Sequence, residues 1–161
     1  MSDELLRRAS FYWKLSNRAD PFAREIADRH YNRQKVGSPQ FVPPGRCLVL
    51  KSLTPWGRAF WITSFPFAEY VLHEWAGAWV CSAFRNEGAT LSSTLIIEAV
   101  QLTRIKWPVP QQGMITFVDR TKVKNKKNAG YCYLCAGFEH VGFSKSGLVC
   151  LQLSAEKIYA L

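Results

Sequence analysis

The feature that most constrains the fold is a strand–helix–strand run in the middle of the chain. The apolar stretch over 77–85 has the composition of a strand, and a helix with one apolar face begins at Ser92 or Ser93. That helix ends before Pro108, and a short apolar strand follows over 114–118. A helical crossover joins parallel neighbours. The run therefore predicts an α/β (α+β) fold, with a mixed central sheet, parallel central strands and flanking helices.

The rest of the chain supplies the other elements of a single domain spanning residues 1–161. Asp20 and Pro21 are typical of a helix start, because Asp accepts from unpaired amides and Pro suits the first helical position. In chain order, the segments are a helix over 21–33, strands over 46–52 and 58–63, a short helix over 129–136, and a hairpin of strands over 138–144 and 147–153. Residues 1–17 are rich in aromatics without periodicity, and we expect an N-terminal extension that packs on the core.

Positive charge is the strongest compositional signal, since 21 Lys and Arg against 12 Asp and Glu give a net charge of +9. The charge is clustered in the predicted first helix and in a basic loop over 120–128. One interpretation is a basic surface that only keeps the protein soluble; the other is a polyanion partner, either nucleic acid or a phosphorylated cofactor. For a DNA partner, the residues expected to grip the phosphates are Arg29, Arg33, Lys122, Lys124, Lys126 and Lys127.

The cysteines and histidines assign no metal site. The five cysteines are odd in number, and Cys132 and Cys135 form half of a zinc spacing without a second pair. His73 and His140 are expected on solvated surfaces, with a role as metal ligands as the alternative. No apolar run approaches the roughly 20 residues of a membrane span, and the first residues lack the apolar stretch of a signal peptide. We therefore expect a cytoplasmic protein.

Two motifs resemble those of the GNAT (acyl-CoA N-acyltransferase) family, and the order of elements over 20–153 is similar to that fold. The segment over 85–90 resembles the family's Gln/Arg-x-x-Gly-x-Gly/Ala turn, although Thr90 stands at its last position. The segment over 128–138, Asn-Ala-Gly-Tyr-Cys-Tyr-Leu-Cys-Ala-Gly-Phe, resembles its short late helix with an inward tyrosine. The resemblance implies a pyrophosphate site for an acyl donor such as acetyl-CoA. The residues that it implies for this site are Arg85, Gly88, Ala89 and Thr90.

A closer resemblance is to the phage Mom-like proteins, which are GNAT-like and convert adenine in DNA to its carbamoylmethyl form to evade restriction. The matching stretches lie over 28–33, 83–88, 114–119 and 130–133. The resemblance implies double-stranded DNA and a small-molecule donor as partners, and it implies iron, whose ligands are not assigned. The catalytic residues that it implies are His30, Arg85, Asp119 and Tyr131, with Tyr133 as the alternative to Tyr131.

The chemistry of adenine suggests roles for these residues. Its amine is a poor nucleophile and is paired in a duplex, so an enzyme must extrude the base. Asp119 ends a buried strand and would orient or deprotonate the amine, while Tyr131 would donate a proton or hold the donor. Arg85 would bind donor or DNA phosphate; the alternative is an ion pair with Glu87 or Asp119. His30 would contact the substrate, or simply interact favourably with its helix end.

The orientation of the two tyrosines and the function class both remain open at this point. Residues two apart on a helix project about 200° from each other. We expect Tyr131 to face the cleft beside Asp119 and Tyr133 to face the core beside Phe138. Two other functions fit the same residues: an acetyl-CoA-dependent N-acetyltransferase of a small amine or peptide, and a non-catalytic DNA-binding protein on a degenerate transferase scaffold.

Overall fold

The computed structural model describes residues 2–30, 36–38, 41–122 and 130–161. In chain order, the described elements are α1 (Ser2–Ala9), β1 (Lys14–Leu15), α2 (Pro21–Asp28), β2 (Cys47–Thr54), β3 (Gly57–Ser64), a 3₁₀ helix (Ala68–Tyr70), β4 (Trp79–Glu87), α3 (Ser92–Lys106), β5 (Met114–Val118), α4 (Tyr131–Cys135), β6 (Glu139–Phe143), β7 (Val149–Leu153) and α5 (Ala155–Tyr159). None of the described helices has the length and apolar composition needed to cross a membrane.

The strands form one mixed sheet in the order β1-β2-β3-β4-β5-β7-β6. All neighbouring pairs are antiparallel except β4 and β5, which run parallel. Helix α3 connects these two strands and returns the chain to the same end of the sheet, so that β5 can run in the direction of β4. The predicted mixed sheet, with its parallel pair at the centre and helices at its sides, is confirmed.

Strands β4 and β5 diverge after a short paired stretch. Pairing covers only 79–81 of β4 and 114–116 of β5. The divergence begins at a β-bulge, because the register of β3 with β4 shifts at this point and makes Ser82 an extra residue in β4. A bulge bends the strand that carries the extra residue. Strand β4 therefore turns away from β5, and its edge beyond the bulge faces no strand among the described residues.

The sheet is buried on both sides. Helices α1, α3 and α4 lie on one side, which we call the α3 face, where Trp61, Trp79 and Leu95 are fully buried. Helix α2 lies on the other side, the α2 face, against Phe60 and Ile62. The alternation of side chains along each strand therefore decides which helix layer a residue meets.

The first residues of the chain pack on the α3 face. Leu6 and Trp13 are buried, and the Trp13 indole donates to the Leu95 carbonyl at 2.8 Å. The Glu98 carboxylate accepts hydrogen bonds from the backbone amides of 11–13 at 2.7 to 3.1 Å. Strand β1 and helix α5 are too short to show a period, whereas α1 has acidic residues in its first turn and arginines in its last, a helix pattern that the prediction missed.

The predicted ends of two elements, the first helix and strand β4, are wrong. The helix predicted over 21–33 ends at Asp28, since the amide of Arg29 bonds three residues back and tightens the last turn. His30 therefore lies beyond the helix, and 31–33 lie outside the described residues. Strand β4, predicted over 77–85, continues to Glu87 because its last residues still pair with β3.

Candidate functional site

The open edge of β4 beyond the bulge is contacted from the α2 face by His30. The Nε2 atom of His30 lies 3.0 Å from the carbonyl oxygen of Phe84. Because a carbonyl only accepts, Nε2 carries the proton in this contact, and the lone pair of the neutral ring is on Nδ1. The ring also stands edge-on to Phe60 at a centroid distance of 6.3 Å. His30 is thus held at the point where the two parallel strands separate.

The same edge is contacted from the α3 face by Tyr133. Its ring packs 6.2 Å from the ring of Phe84, and its hydroxyl lies 3.5 Å from Sγ of Cys81. Burial, followed by the neighbouring Cys81, raises the pKa of Tyr133 well above its ordinary value, and burial raises the pKa of Cys81 to about 12. Both groups therefore keep their protons at neutral pH. The Tyr133 hydroxyl is therefore protonated and can donate a hydrogen bond.

The predicted position of Tyr133 in the core beside Phe138 is found, whereas Tyr131 does not take the predicted position beside Asp119. Tyr133 does pack beside Phe138, at 5.4 Å between ring centroids, but it is also the tyrosine that reaches between β4 and β5. Tyr131 is 57% exposed, and a hydrogen bond with Cys135 raises the pKa of its hydroxyl. The described hydrogen bonds include none between Tyr131 and Asp119. Tyr133 is therefore the inward tyrosine of α4, and Tyr131 is the exposed one.

Asp119 follows β5 directly but turns its carboxylate toward its own loop. Oδ1 accepts from the amide of Thr121 at 3.0 Å and from its hydroxyl at 2.6 Å. The side-chain and backbone hydrogen bonds of Thr121 lower the pKa of Asp119. The carboxylate is therefore a weaker base than an ordinary aspartate, and its main contact fixes the turn at the end of β5.

Three arginines converge on Glu87, and we call Arg29, Arg58, Arg85 and Glu87 the arginine cluster. Glu87 accepts two hydrogen bonds from Arg29, both 2.6 Å long, and one of 2.9 Å from Nε of Arg85. Nη2 of Arg58 lies 3.7 Å from Oε1 of the same carboxylate. The Arg29 hydrogen bond is the main reason why the pKa of Glu87 falls to about 2. The alternative of an Arg85–Glu87 ion pair is thus realised.

The cluster keeps an excess of positive charge. Glu25 contacts Arg29 at 3.5 Å and Arg58 at 3.4 Å, so three guanidinium groups share two carboxylates. One positive charge is left over. Arg85 bonds to Glu87 through Nε. Its terminal nitrogens contact no acceptor in the described part of the chain. These donors remain available to an anion.

The turn over 88–90 does not present the amides expected for a pyrophosphate. Ala89 is fully buried, and its amide donates to Oδ1 of Asn86 at 3.0 Å. The Asn86 amide group in turn donates to the carbonyl of Thr90 at 2.7 Å and to the hydroxyl of Ser92 at 2.9 Å. The carbonyl of Ala89 accepts from the Thr54 hydroxyl at 2.7 Å. Because the Ala89 amide already has an acceptor and the β2–β3 hairpin packs on the turn, Gly88, Ala89 and Thr90 do not fit a coenzyme A cradle.

The described residues also do not fit an iron site. Among them, no three His, Cys, Asp or Glu side chains are grouped so that they could hold a metal ion. Cys132 is half-buried and Cys135 is exposed, and neither is in a disulfide. The ring of His73 accepts from the amide of Trp75 at 3.1 Å. The ring of His140 packs on Phe143 at 5.1 Å.

Of the expected DNA contacts, only part can be placed. Arg29 belongs to the arginine cluster, and Lys122 is exposed on the turn that follows Asp119. Arg33, Lys124, Lys126 and Lys127 lie outside the described residues. Sequence reasoning missed Arg58, although its alternation with Phe60 and Ile62 along β3 is a signal that it shares the α2 face.

The structure therefore groups some of the predicted residues and separates others. Arg29 and His30 approach the last residues of β4 from the α2 face, to which the side chain of Arg85 also points. Tyr133 approaches from the α3 face. Asp119 ends the neighbouring strand with its carboxylate bound to its own turn. Comparison of the chain with protein-family models, with curated proteins and with solved structures finds no match.

Proposed function

We propose that this protein is a DNA-modification enzyme that adds a small carbamoylmethyl or acyl-type group to the exocyclic amine of adenine, protecting phage DNA from restriction. The observation that carries the proposal is the double contact on Phe84. Its carbonyl accepts from His30 and its ring packs on Tyr133, at the point where β4 leaves β5. An imidazole and a phenol, the two kinds of side chain that can move protons here, thereby contact one residue of β4 from opposite faces of the sheet.

The α2 face suits the DNA. The arginine cluster lies there with an uncompensated positive charge, and its member Arg29 directly precedes His30 in the chain. Phosphate contacts of this kind position a protein on a duplex without reading its sequence. An adenine extruded from the duplex would then enter the opening between β4 and β5 from this side, while the phosphates of its strand remain on the cluster. The small-molecule donor would lie toward the α3 face, beside Tyr133.

The transfer requires one bond to form and one to break. The adenine nitrogen attacks the donor carbon, and the bond from that carbon to its leaving group breaks with the electron pair going to the leaving group. One amine proton must be removed, and the leaving group must be neutralised. Asp119 is a weak base, because hydrogen bonds from Thr121 lower the pKa of its carboxyl group. His30 is therefore the candidate base. Tyr133 keeps its proton at neutral pH, and it would transfer that proton to a leaving group that is a stronger base than its own phenolate.

Mass spectrometry of nucleosides from the DNA of cells that express the protein tests this function. A modified deoxyadenosine carrying a small amide-containing adduct is expected, and its loss is expected in a His30→Asn variant. Tyr133→Phe should also lose most of the adduct, because it removes only the buried hydroxyl, whereas the exposed Tyr131→Phe change is its matched control. If the DNA contains only the four standard nucleosides in a host that supplies the donor, the proposal fails.

A non-catalytic DNA-binding protein is a second candidate, and one observation favours it. The Asp119 carboxylate is committed to its own turn, as expected if the scaffold no longer performs the reaction. DNA binding by the wild type and by a Tyr133→Phe variant, with no adduct from either, would support this candidate. An acetyl-CoA-dependent N-acetyltransferase has less support, because the turn over 88–90 does not offer its amides to a pyrophosphate.

A further inference from the structure

The tip of the β2–β3 hairpin presents a tryptophan to solvent. Trp56 is 79% exposed, whereas the other five tryptophans are buried or half-buried. A single exposed apolar side chain is common on protein surfaces and by itself indicates nothing. The surroundings of Trp56 give it significance, because the tip is fixed in place and lies beside the arginine cluster.

Contacts with the end of β4 hold the hairpin tip in position. The Thr54 hydroxyl donates to the buried Ala89 carbonyl at 2.7 Å and accepts from the amide of Trp56 at 3.2 Å. Gly57 lies so close to the backbone at Glu87 and Gly88 that a Cβ atom at this position would collide with it. The backbone that carries the indole is therefore anchored to the same turn that follows the arginine cluster.

One member of the arginine cluster, Arg58, lies two residues after Trp56 in the chain. Arg58 pairs with Gly88 in an isolated parallel bridge and contacts Glu87 and Glu25. A rigid aromatic ring next to guanidinium groups with excess positive charge is the combination that binds nucleic acid, since the ring stacks on a base while the arginines contact phosphates. An acidic protein segment would use the charges but would have no need for a flat, solvated ring.

We propose that Trp56 stacks on a base of duplex DNA beside the extruded adenine, while Arg29, Arg58 and Arg85 contact the phosphates of the same strand. The proposal rests on the proposed function for the identity of the extruded base. Removal of a base from a duplex leaves its neighbours unstacked, and side chains that insert between base steps compensate for part of that loss. The indole at the hairpin tip is positioned to fill such a gap.

Binding of a short fluorescent DNA duplex with one mismatched adenine, in the absence of any donor, tests the contact. Stacking on aromatic side chains is worth enough for Trp56→Ala to weaken binding by roughly 5- to 100-fold. Trp56→Phe should retain part of the affinity, because a smaller ring still stacks. Phe11→Ala is the matched control: Phe11 is 84% exposed but lies by α3, so its removal should leave binding unchanged.

Tryptophan fluorescence gives a second measurement on the same samples. Stacking should quench part of the wild-type emission when the duplex is added, and Trp56→Phe should abolish that quenching. Because Trp56 and Phe11 are both exposed, Trp56→Ala, Trp56→Phe and Phe11→Ala should all melt at the wild-type temperature. Unchanged affinity of Trp56→Ala, or equal quenching in Trp56→Phe, would overturn the proposal. Weakened binding by Trp56→Ala in a protein that modifies no adenine would support the contact while refuting the proposed function.

Discussion

The arginine cluster makes a quantitative prediction about stability and pH. The carboxylate of Glu87 is 19% exposed and accepts hydrogen bonds from Arg29 and Arg85, which hold its pKa at about 2, against an ordinary value of 4.5. A group whose pKa is lowered by folding stabilises the native state above its unfolded-state pKa. That stabilisation is lost as the pH falls through the folded-state pKa. For Glu87, the loss occurs between pH 4.5 and pH 2.

The size of the effect follows from the same shift. Lowering the pKa from 4.5 to about 2 corresponds to about 3 kcal/mol of preference for the ionised carboxylate in the folded protein. The partner side chains of Arg29 and Arg85 are each 37% exposed, so solvent screens part of the attraction. We therefore expect Glu87→Gln to lower the free energy of unfolding by about 1–2 kcal/mol at neutral pH.

Urea denaturation of wild type and Glu87→Gln across the acid range measures this. The difference in free energy of unfolding between the two proteins should be constant near neutral pH, shrink below pH 4.5, and approach zero near pH 2. Glu4→Gln is the matched control, because Glu4 forms an exposed pair with Arg8, and removing it should cost less than about 0.5 kcal/mol. A Glu87→Gln difference that stays the same from neutral pH to pH 2 would refute the reasoning.

Three further changes test other parts of the molecule. Asn86→Ala removes the three hydrogen bonds that close the turn before α3, and we expect urea denaturation to show a loss of about 2–3 kcal/mol. Glu98→Ala leaves three backbone amides without their acceptor, so it should cost about 3–5 kcal/mol and make the N-terminal segment sensitive to limited proteolysis. Replacing Lys124, Lys126 and Lys127 with Ala should reduce the slope of log affinity for DNA against log salt by about 2 to 3. An unchanged slope would show that this loop does not touch DNA.

The regular part of the fold was predictable because local pattern and tertiary structure agree there. Strand β5 has the predicted bounds, and α3 begins at Ser92 as one of the two predicted starts. In both cases an apolar run is bounded by residues that end a strand or start a helix. The path of residues 11–13 was not predictable, because the distant carboxylate of Glu98 fixes it, whereas the charges at the two ends of α1 were a local signal that the prediction missed.

The site was predictable in its residue types more than in its geometry. Arg85 lies on the last part of β4 and His30 contacts that part from beyond α2, but the tyrosine prediction placed Tyr131 beside Asp119, and no described hydrogen bond joins them. The inward tyrosine is the buried Tyr133, whose hydroxyl lies by Cys81 at the last paired residues of β4 and β5. The commitment of Asp119 to its own turn did have a signal, since Asp-x-Thr over 119–121 is a common turn pattern.

The bulge at Ser82 explains why no pattern in β4 could assign its side chains to a face. Cys81 and Phe84 both belong to the core of the α3 face, although residues three apart in a regular strand point to opposite faces. The extra residue reverses the alternation, so that Phe84 and Asn86 meet the α3 layer while Arg85 and Glu87 meet α2. Without it, the arginine and its carboxylate would point into the apolar α3 core, and the amide that closes the turn would lie on the wrong side. The extra residue of the bulge therefore both turns β4 away from β5 and directs the charged side chains to the face that carries His30.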